Sequence, residues 1–399
     1  MRWPSAWRDP SALEWLKGSA IDSLVIENHA ELAAVRTQAR QAGFTIVDPD
    51  SPPSGITVVK GQWPGVKMSR GGGTETETGP TGTPWVDSNG WAIRLAEAFS
   101  PESEVWVNAP PKQNPRPAAY LLAIADSAAY GGRWIIEMDT QLAAGIAARQ
   151  SESIQTWKNI SAAAGFFAAH KAWAACVPEA VVGVISDFAG KNEFLSRELL
   201  NLLARSGQHY RIIIKDRTQP FTGLRALIYA DAEPPSDSLR KQILAFVAAG
   251  GLLITGPKWG VAPGRPAPRD EHPRFSSRVL GQGRVAVAHS DPNDPYLLAN
   301  DSVVLVSHRY DLVRFWNGGA VASYYSMARD RKQAVVHLLF YSDRGPDSAS
   351  VRIAGRYRAA KMWTLDQPGA RKVELESQAD ALEVHLPAVS HYVALELEV

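Results

Sequence analysis

Short apolar runs alternate with helical periods along the first 177 residues of the chain. The run DSLVIE, which ends at Glu27, is followed by the amphipathic segment AELAAVRTQARQAG and then by FTIVD, and this order predicts a β-α-β unit with parallel strands. Further strands are predicted in ITVVKG, in EVWVN ending at Asn108 and in RWIIEMD ending at Asp139, with helices over 91–99 and 118–130. The alternation predicts a barrel or an open parallel sheet.

A long segment over 153–177 predicts a helix that ends before Pro178, because proline cannot continue the backbone hydrogen-bond ladder. We place the first domain boundary there. The chain then repeats its alternation in VVGVISD, NEFLSRELLNLLARSG, YRIIIKD, LRALIYAD, SDSLRKQILAFVAAGG and LLITGP. This order predicts an open α/β sheet with flavodoxin-like winding over 178–300. The Pro/Gly/Arg-rich stretch 257–273 is predicted to be an exposed loop, followed by a last strand in GRVAVAHSD.

The helical period disappears from Ser302 onward and gives way to short runs with alternating polarity. These runs are SVVLVSH, AVASYYSMA, QAVVHLLFYS, SVRIAG, RAAKMWTLD, ARKVELES, ALEVHLP and YVALELEV. About eight strands at this spacing predict an antiparallel β-sandwich. The chain is therefore predicted to hold three domains, over 1–177, 178–300 and 301–399.

Composition and charge narrow the class of partner. Hydrophobic residues make up 45% of the 399 positions and charged residues 21%, as in soluble globular proteins. The net charge of +1, without a long Lys/Arg run, argues against nucleic acid. Apolar stretches such as 243–255 are too short to span a membrane. The amino-terminal stretch lacks the apolar core of a secretion signal, so we expect a cytoplasmic protein, or a periplasmic or secreted one if a leader has been removed.

The segment LRALIYADAEPPSDSLRKQILAFVAAGGLLITGP, together with VVGVISD before it, resembles the amidotransferase-like trimerisation domain of bacterial β-galactosidases. These enzymes belong to a large retaining clan of (β/α)8 glycoside hydrolases. The closing run LPAVSHYVALELE is similar to the sandwich that ends many glycosidases. The resemblance implies a shortened or degenerate (β/α) TIM-like barrel, a flavodoxin-like α/β domain and a C-terminal antiparallel β-sandwich. It also implies a carbohydrate substrate and self-association as a homo-oligomer through the middle domain.

The first domain departs from that family in two respects. Its 177 residues are few for a (β/α)8 barrel, which typically needs about 250. The Asn-Glu pair that ends a barrel strand in the clan is absent from it, since the only such pair here, Asn192-Glu193, opens a helix of the second domain. Catalytic residues must therefore be sought from strand positions.

Glycoside hydrolysis needs two carboxyl groups that flank the scissile bond, and in parallel sheets reactive groups gather at the carboxyl ends of strands. Glu27, Glu137 and Asp139 meet this condition, and we take Glu137 as the first candidate. Glu137 and Asp139 share parity, so both side chains point to one face. The alternative is that these carboxylates cap the next helix or pair with an arginine such as Arg133.

The stretch SRGGGTETETGPTGTPWVDSNGW predicts a long loop over the mouth of the site. It supplies three further carboxylates and a platform of indole rings and polar groups suited to a neutral sugar. The carboxylates are Glu75, Glu77 and Asp87, and the substrate-binding candidates are Trp85, Asn89 and Trp91, with Asn108 on the neighbouring strand end. The alternative is an ordinary helix start, capped by Asp87 or Ser88, with Trp91 in the core.

The sequence lacks the motifs of nucleotide-binding proteins, serine hydrolases and helical metal sites. The glycine-rich stretch fits neither a phosphate loop nor a dinucleotide fingerprint, no G-x-S-x-G elbow occurs, and the histidines lack helical metal-site spacing. We therefore expect no cofactor and no catalytic metal. The sequence predicts a glycoside hydrolase that cleaves a neutral oligo- or polysaccharide with paired carboxylates. The alternative is a non-catalytic carbohydrate-binding or assembly protein with a degenerate barrel.

Overall fold

The computed structural model describes residues 1–67, 85–215, 217, 219–268, 272–316, 319–342 and 345–399. It shows a mixed α/β chain with several sheets, some of them antiparallel. Its helices are α1 Ala33–Gln41, α2 Gly90–Phe99, α3 Pro117–Ala129, α4 Thr140–Ala147, α5 Ser151–Ala169, α6 Glu193–Arg205, α7 Asp237–Ala248 and α8 Pro295–Val306. Among these described residues, no helix combines the length and the apolar character that a membrane span needs.

The amino-terminal part is built on parallel strand pairs. The strands up to residue 178 are β1 Ser23–Leu24, β2 Thr45–Ile46, β3 Ile56–Lys60, β4 Gly65–Val66, β5 Val86–Asp87, β6 Glu104–Asn108, β7 Arg133–Trp134 and β8 Val177–Pro178. β6 pairs with β3 on one side and β7 on the other, and β1 pairs with β2. Arg2 joins the two groups through parallel bridges to Val25 and Glu137. The resulting order is β3-β6-β7-Arg2-β1-β2.

Alternating side chains divide this set of strands into two faces. One face carries a cluster of Val25, Val47, Trp106 and Ile135, with Ile56 and Val58 packed against it. The other face packs against α1 to α5 within the largest hydrophobic cluster. Because the inner cluster takes side chains from β3 and from Val47, directly after β2, the strands curve around it.

The middle part is a seven-stranded sheet. Its strands are β9 Val182–Ser186, β10 Tyr210–Ile214, β11 Ala226–Tyr229, β12 Leu252–Thr255, β13 Arg265–Pro266, β14 Phe275–Leu280 and β15 Gly283–Ala288. They lie in the order β10-β9-β11-β12-β15-β14-β13, in which the first five are parallel and β14 is antiparallel to both of its neighbours, β15 and β13. α6 and α8 cover one face and α7 the other.

The carboxyl-terminal part holds two antiparallel sheets. Its strands are β16 Val313–Phe315, β17 Val321–Met327, β18 Gln333–Phe340, β19 Ala349–Ala354, β20 Ala359–Thr364, β21 Arg371–Lys372, β22 Glu376–Ser377, β23 Ala381–Leu386 and β24 Tyr392–Glu398. The sheets have the orders β16-β19-β23-β22 and β21-β20-β24-β18-β17-β8. Their inner faces share one hydrophobic cluster. The outer face of β18 and β24 packs against the amino-terminal helices, which buries both faces of these strands.

Two expected elements are wrong. The run SVVLVSH is not a strand, because Ser302–Val306 forms the last turns of α8. Asp294 caps that helix by accepting from the backbone N–H of Tyr296 and Leu297, and Pro295 occupies its first turn. The helix expected over 153–177 ends at Ala169, and a 3-10 segment, Lys171–Ala175, follows it.

Candidate functional site

The carboxyl ends of the amino-terminal strands bring Glu137 and Asn108 together through Arg2. The Arg2 Nε donates to Glu137 Oε2 over 2.9 Å, and its Nη2 donates to Asn108 Oδ1 over 2.9 Å. The side chains of Arg2 and Glu137 are 23% and 22% exposed. Because Arg2 is hydrogen-bonded in the same sheet, the guanidinium is held between the two strand ends. The site therefore contains an ion-paired carboxylate and an amide at solvent-accessible positions.

Glu27 ends the neighbouring segment after Val25 and lies at the same edge of the sheet. Its side chain is 48% exposed, and His29 Nε2 lies 3.2 Å from its Oε2. Since Arg2 separates the segments that carry Glu27 and Glu137, two strand spacings, about 10 Å, lie between them. Glu27 and Glu137 therefore lie at the same edge of the sheet, on two segments that are separated by Arg2.

Asp139 serves as the cap of α4. Its Oδ1 accepts from the backbone N–H of Gln141 and Leu142, at 2.8 and 3.1 Å. Its Oδ2 accepts from the Tyr120 hydroxyl at 3.0 Å. Burial raises the pKa of Tyr120, and the neighbouring carboxylate of Asp139 raises it further. Both oxygens of Asp139 are engaged, so the capping alternative describes this residue.

Trp63 is an aromatic residue at this end that the sequence analysis missed. Its ring packs edge-on against Tyr120 and Trp134, with 5.3 Å between centroids in each pair. Its Nε1 donates to the backbone oxygen of Pro110 over 2.9 Å, and the Lys112 ammonium lies 5.7 Å from its ring centroid. The available signal was the GQWPG turn directly after the strand ITVVK.

The expected indole platform lies elsewhere. Trp85 and Trp91 pack against the hydrophobic cluster of the middle sheet, and the Arg205 guanidinium lies 4.7 Å from the Trp85 ring centroid. Asp87 belongs to β5, which pairs with β4. Its negative charge acts to raise the pKa of Glu198 and of Arg205, which both lie on α6. Packing against the middle sheet therefore accounts for both indoles. Glu75 and Glu77 lie outside the described residues.

Asn89 is buried and forms part of a polar network that the sequence analysis also missed. Its Nδ2 donates to Asp126 Oδ2 over 3.0 Å and to the backbone oxygen of Gln62 over 2.9 Å, and its Oδ1 accepts from the Gln62 N–H. Burial raises the pKa of Asp126 above its ordinary value. Asp126 stands in the apolar helix YLLAIADSAA, where one acidic residue among small and aliphatic ones was the available signal.

Two further cavities lie toward the other end of the strands. A cavity of about 510 Å³ is lined by Glu104, Arg133, Trp134, His170 and Trp173, among others. Arg133 pairs there with Asp22 at 2.6 Å and with Glu104 at 3.3 Å. The alternative interpretation of the sequence expected this arginine to pair with Glu137 or Asp139. An adjoining cavity of about 290 Å³ is lined by Glu97. Burial raises the pKa of Glu97 to about 7, although Arg94 acts to lower it.

No group of three or more His, Cys, Asp and Glu side chains is arranged to hold a metal ion in the part of the chain that the structure describes. Cys176 is a free thiol whose pKa is raised by burial. The described residues at the strand ends offer carboxylate, guanidinium, amide and indole groups.

No protein-family model matches this chain. No curated protein matches it. Solved structures do share its architecture. The α-L-fucosidase isoenzyme 2 from Paenibacillus thiaminolyticus superposes with a TM-score of 0.51 and 12% identity, covering 74% of this chain and 60% of its own. Two β-galactosidases superpose less well. That of Rahnella sp. R3 has a TM-score of 0.48 and 10% identity, covering 78% of this chain and 57% of its own. That of Bacillus circulans sp. alkalophilus has a TM-score of 0.46 and 9% identity, covering 75% of this chain and 61% of its own.

The fucosidase match gives the chain a glycoside-hydrolase-like fold, and this confirms the resemblance seen in the sequence. At 12% identity the likeness concerns the fold alone. The chain spans about 60% of the length of that enzyme.

Proposed function

We propose that the chain is a glycoside hydrolase that acts on a neutral oligo- or polysaccharide at the carboxyl ends of its amino-terminal parallel strands. The observation that carries the proposal is the Arg2–Glu137–Asn108 network, which sets a carboxylate and an amide on adjacent strand ends. In parallel α/β folds this edge of the sheet is where binding and catalytic groups converge.

In this proposal Glu137 is the ionised carboxylate of the reaction. The transition state of glycoside hydrolysis carries positive charge on the sugar ring, and an anion beside it lowers the barrier. The paired guanidinium of Arg2 fixes the carboxylate in place, while Asn108 is available to a sugar hydroxyl. Asp139 is assigned a positioning role, because it caps α4 and orients Tyr120.

The second carboxylate is proposed to be Glu27. Glu75 and Glu77, which lie outside the described residues, stay candidates from the sequence alone. Two strand spacings put the segments of Glu27 and Glu137 about 10 Å apart, just above the 6.5 to 9.5 Å that inverting enzymes use between carboxyl groups. Trp63 replaces Trp85 and Trp91 as the proposed aromatic platform, since it lies beside Tyr120 at this end of the sheet.

The finer architecture is part of the same proposal. A shortened (β/α) barrel over 1–177 is supported by the strand order, in which Arg2 bridges the segments that follow β7 and β1, and by the inner apolar cluster. We propose that the flavodoxin-like domain extends through α8, because that helix packs against α6. Self-association through this domain remains a prediction that light scattering tests.

A non-catalytic carbohydrate-binding protein is the second candidate. It is favoured by the engagement of the described carboxylates at this edge: Glu137 pairs with Arg2, Asp139 caps α4, and Glu27 lies beside His29. Such a site still presents an indole, an amide and charged groups to a sugar.

The deciding experiment compares Glu137→Gln with Glu104→Gln on a panel of aryl glycosides and oligosaccharides. Glu104 is a matched control, because it pairs with Arg133 at the opposite end of the neighbouring strand. A hydrolase predicts turnover by the native protein and by E104Q, with a loss of at least about 1,000-fold in kcat for E137Q. Binding without turnover that weakens in E137Q selects the second candidate. If the native protein shows neither turnover nor binding, both candidates are rejected. Undiminished turnover by E137Q rejects the catalytic role of Glu137.

A further inference from the structure

The cavity of about 290 Å³ lies between the amino-terminal helices and the carboxyl-terminal sheet. Five of the side chains that line it come from five different elements, namely Glu97 of α2, Tyr130 after α3, Trp173 of the 3-10 segment, Tyr324 of β17 and His337 of β18. It shares Trp173 and His337 with the cavity of about 510 Å³, so the two cavities adjoin. Elements from both ends of the chain therefore build its wall.

Four of these side chains form a continuous aromatic wall. The ring centroids of Tyr130 and Tyr324 are 4.9 Å apart, those of Tyr324 and His337 are 6.3 Å apart, and those of His337 and Trp173 are 5.5 Å apart. The ring of Tyr324 is half-buried and lines the cavity. Tyrosine and tryptophan rings attract cations through their negative faces. The wall therefore suits a positively charged group.

The carboxylate of Glu97 reaches this cavity without a partner. A methyl group added to Gly131, which also lines the cavity, would lie 3.0 Å from Glu97 Oε1. Neither carboxylate oxygen forms a hydrogen bond or an ion pair with a residue that the structure describes, and neither is sealed from solvent. Arg94, one turn earlier on α2, donates instead to the backbone oxygen of Tyr210 and lies over the ring of that tyrosine. The carboxylate is thus available to a ligand.

The cavity lining carries no positive charge to balance this carboxylate. Among the described residues that line the cavity there is no lysine or arginine. Burial lowers the pKa of His337 to about 3, and burial raises the pKa of Cys176, Tyr130 and Tyr324, so all four of these side chains are neutral near pH 7. An anionic ligand would be repelled by Glu97, and a neutral ligand would leave the carboxylate unpaired. A cation satisfies both the carboxylate and the rings.

We propose that this cavity binds a small organic ammonium ion. The ammonium group pairs with the Glu97 carboxylate and lies against the rings of Tyr324 and Trp173. The apolar part of the ligand extends toward the adjoining cavity, which Phe167 lines. The volume of about 290 Å³ is close to the lower end of the roughly 300 to 1,000 Å³ of small-molecule sites, so one small molecule fills it. This site is separate from Glu137 and does not depend on the function proposed there.

The test titrates the full chain at pH 8 with three probes and measures binding by calorimetry. The probes are phenethylammonium, tetramethylammonium and 2-phenylethanol, which keeps the ring of the first probe but carries no charge. We expect a primary or a quaternary cation to bind at least about tenfold more tightly than the alcohol, and Glu97→Gln to remove this preference. Glu102→Gln, which removes the same charge from an exposed side chain outside the lining, is the matched control and should bind like the native protein.

Two further measurements locate the bound cation. Its affinity for the native protein should fall between pH 8 and pH 5.5, because the pKa of Glu97 is about 7 and protonation removes the negative charge. E97Q should show no such change. Cys176, the one cysteine of the chain, lines the cavity, so the cation should slow the reaction of its thiol with N-ethylmaleimide in the native protein.

Each outcome decides the proposal. The inference fails if neither cation binds, if the alcohol binds as tightly as the cations, or if E97Q keeps the native affinity for the cation. Binding that disappears in E137Q but persists in E97Q assigns the cation to the strand-end site and overturns the inference. Binding that leaves the reaction of Cys176 unchanged places the cation elsewhere and also overturns it. If E97Q does not fold, the preference of the native protein for the cation and the protection of Cys176 decide.

Discussion

Tyr341 donates its hydroxyl hydrogen to Asp126 Oδ1 over 2.7 Å, and both side chains are buried. This bond joins the residue that follows β18 to the last turn of α3, and the two residues are 215 positions apart. The same carboxylate accepts from Ser88 Oγ and from the backbone and side-chain nitrogens of Asn89. One buried side chain therefore ties the start of α2, the α3 helix and the carboxyl-terminal sheet together.

Replacing Asp126 by Ala should lower the free energy of unfolding by about 3 to 5 kcal/mol, because the donors of Ser88, Asn89 and Tyr341 would lose their buried acceptor. Urea denaturation followed by tryptophan fluorescence measures the change. The exposed Asp366 provides the control, and D366A should change stability by less than about 0.5 kcal/mol. A loss below about 1 kcal/mol for D126A would contradict the assigned role.

Glu396 is the second such junction. Its Oε1 accepts from Trp173 Nε1 over 2.9 Å, and its Oε2 accepts from Trp363 Nε1 over 2.7 Å. In Glu396→Gln an amide N–H₂ would face one of the two indole N–H groups, so we expect a loss of about 1 to 3 kcal/mol and a shift in tryptophan emission. Glu398→Gln, two residues along β24, removes an exposed pair with Arg358 and should be nearly neutral. Equal stabilities of the two variants would refute the prediction.

Glu97 should make the protein less stable as the pH rises. Its pKa of about 7 in the folded chain lies above its ordinary value of 4.5, so between these values the unfolded chain has lost a proton that the folded chain keeps. The destabilisation is complete above about pH 7 and amounts to about 3 kcal/mol. Glu97→Gln should therefore gain stability at pH 8.5 and lose this advantage below about pH 4.5. Denaturation at both pH values, with the exposed Glu102→Gln as control, measures it, and a gain that does not depend on pH would argue against burial as the cause.

The buried histidines act in the opposite direction. Burial lowers the pKa of His209 and of His337 from 6.5 to about 3, so the folded chain keeps both rings neutral while the unfolded chain binds protons below about pH 6.5. Stability from these two groups is present above pH 6.5 and falls as the pH approaches 3. Imidazole nitrogen shifts of labelled protein should report neutral rings at pH 5. A protonated His337 in folded protein at that pH would disprove the assignment.

Sequence patterns predicted five of the seven strands of the middle sheet, because runs such as VVGVISD and LLITGP are buried on both faces and form continuous apolar segments. They missed β14 and β13. Burial on most sides also led to the wrong prediction of a strand within α8. Its residues LLANDSVVLV are also buried on most sides, so the apolar run resembled a strand, and only the Asp294-Pro295 start distinguished a helix. Strand β13 and the 3-10 segment after α5 depend on tertiary contacts and left no periodic signal.

The candidate site was predicted in part. Parity and strand ends placed Glu137 and Asn108 at one edge of the sheet, which is local information. Arg2 could not be identified, because its position depends on bridges to residues more than 20 and more than 130 positions away. Trp85 and Trp91 looked like a platform because the surface that covers them comes from the middle sheet, which the local sequence does not contain.

Strand β8 extends the outer edge of the carboxyl-terminal sheet, where Val177 and Pro178 pair with Met327 and Ser326 of β17. The polypeptide thus visits the last sheet before it builds the middle one, and it returns there afterwards. A truncation at residue 177 would separate Val177 from Met327, its partner in a sheet formed more than 140 residues later. The two ends of the chain therefore form one structure and are poor choices for expression as separate fragments.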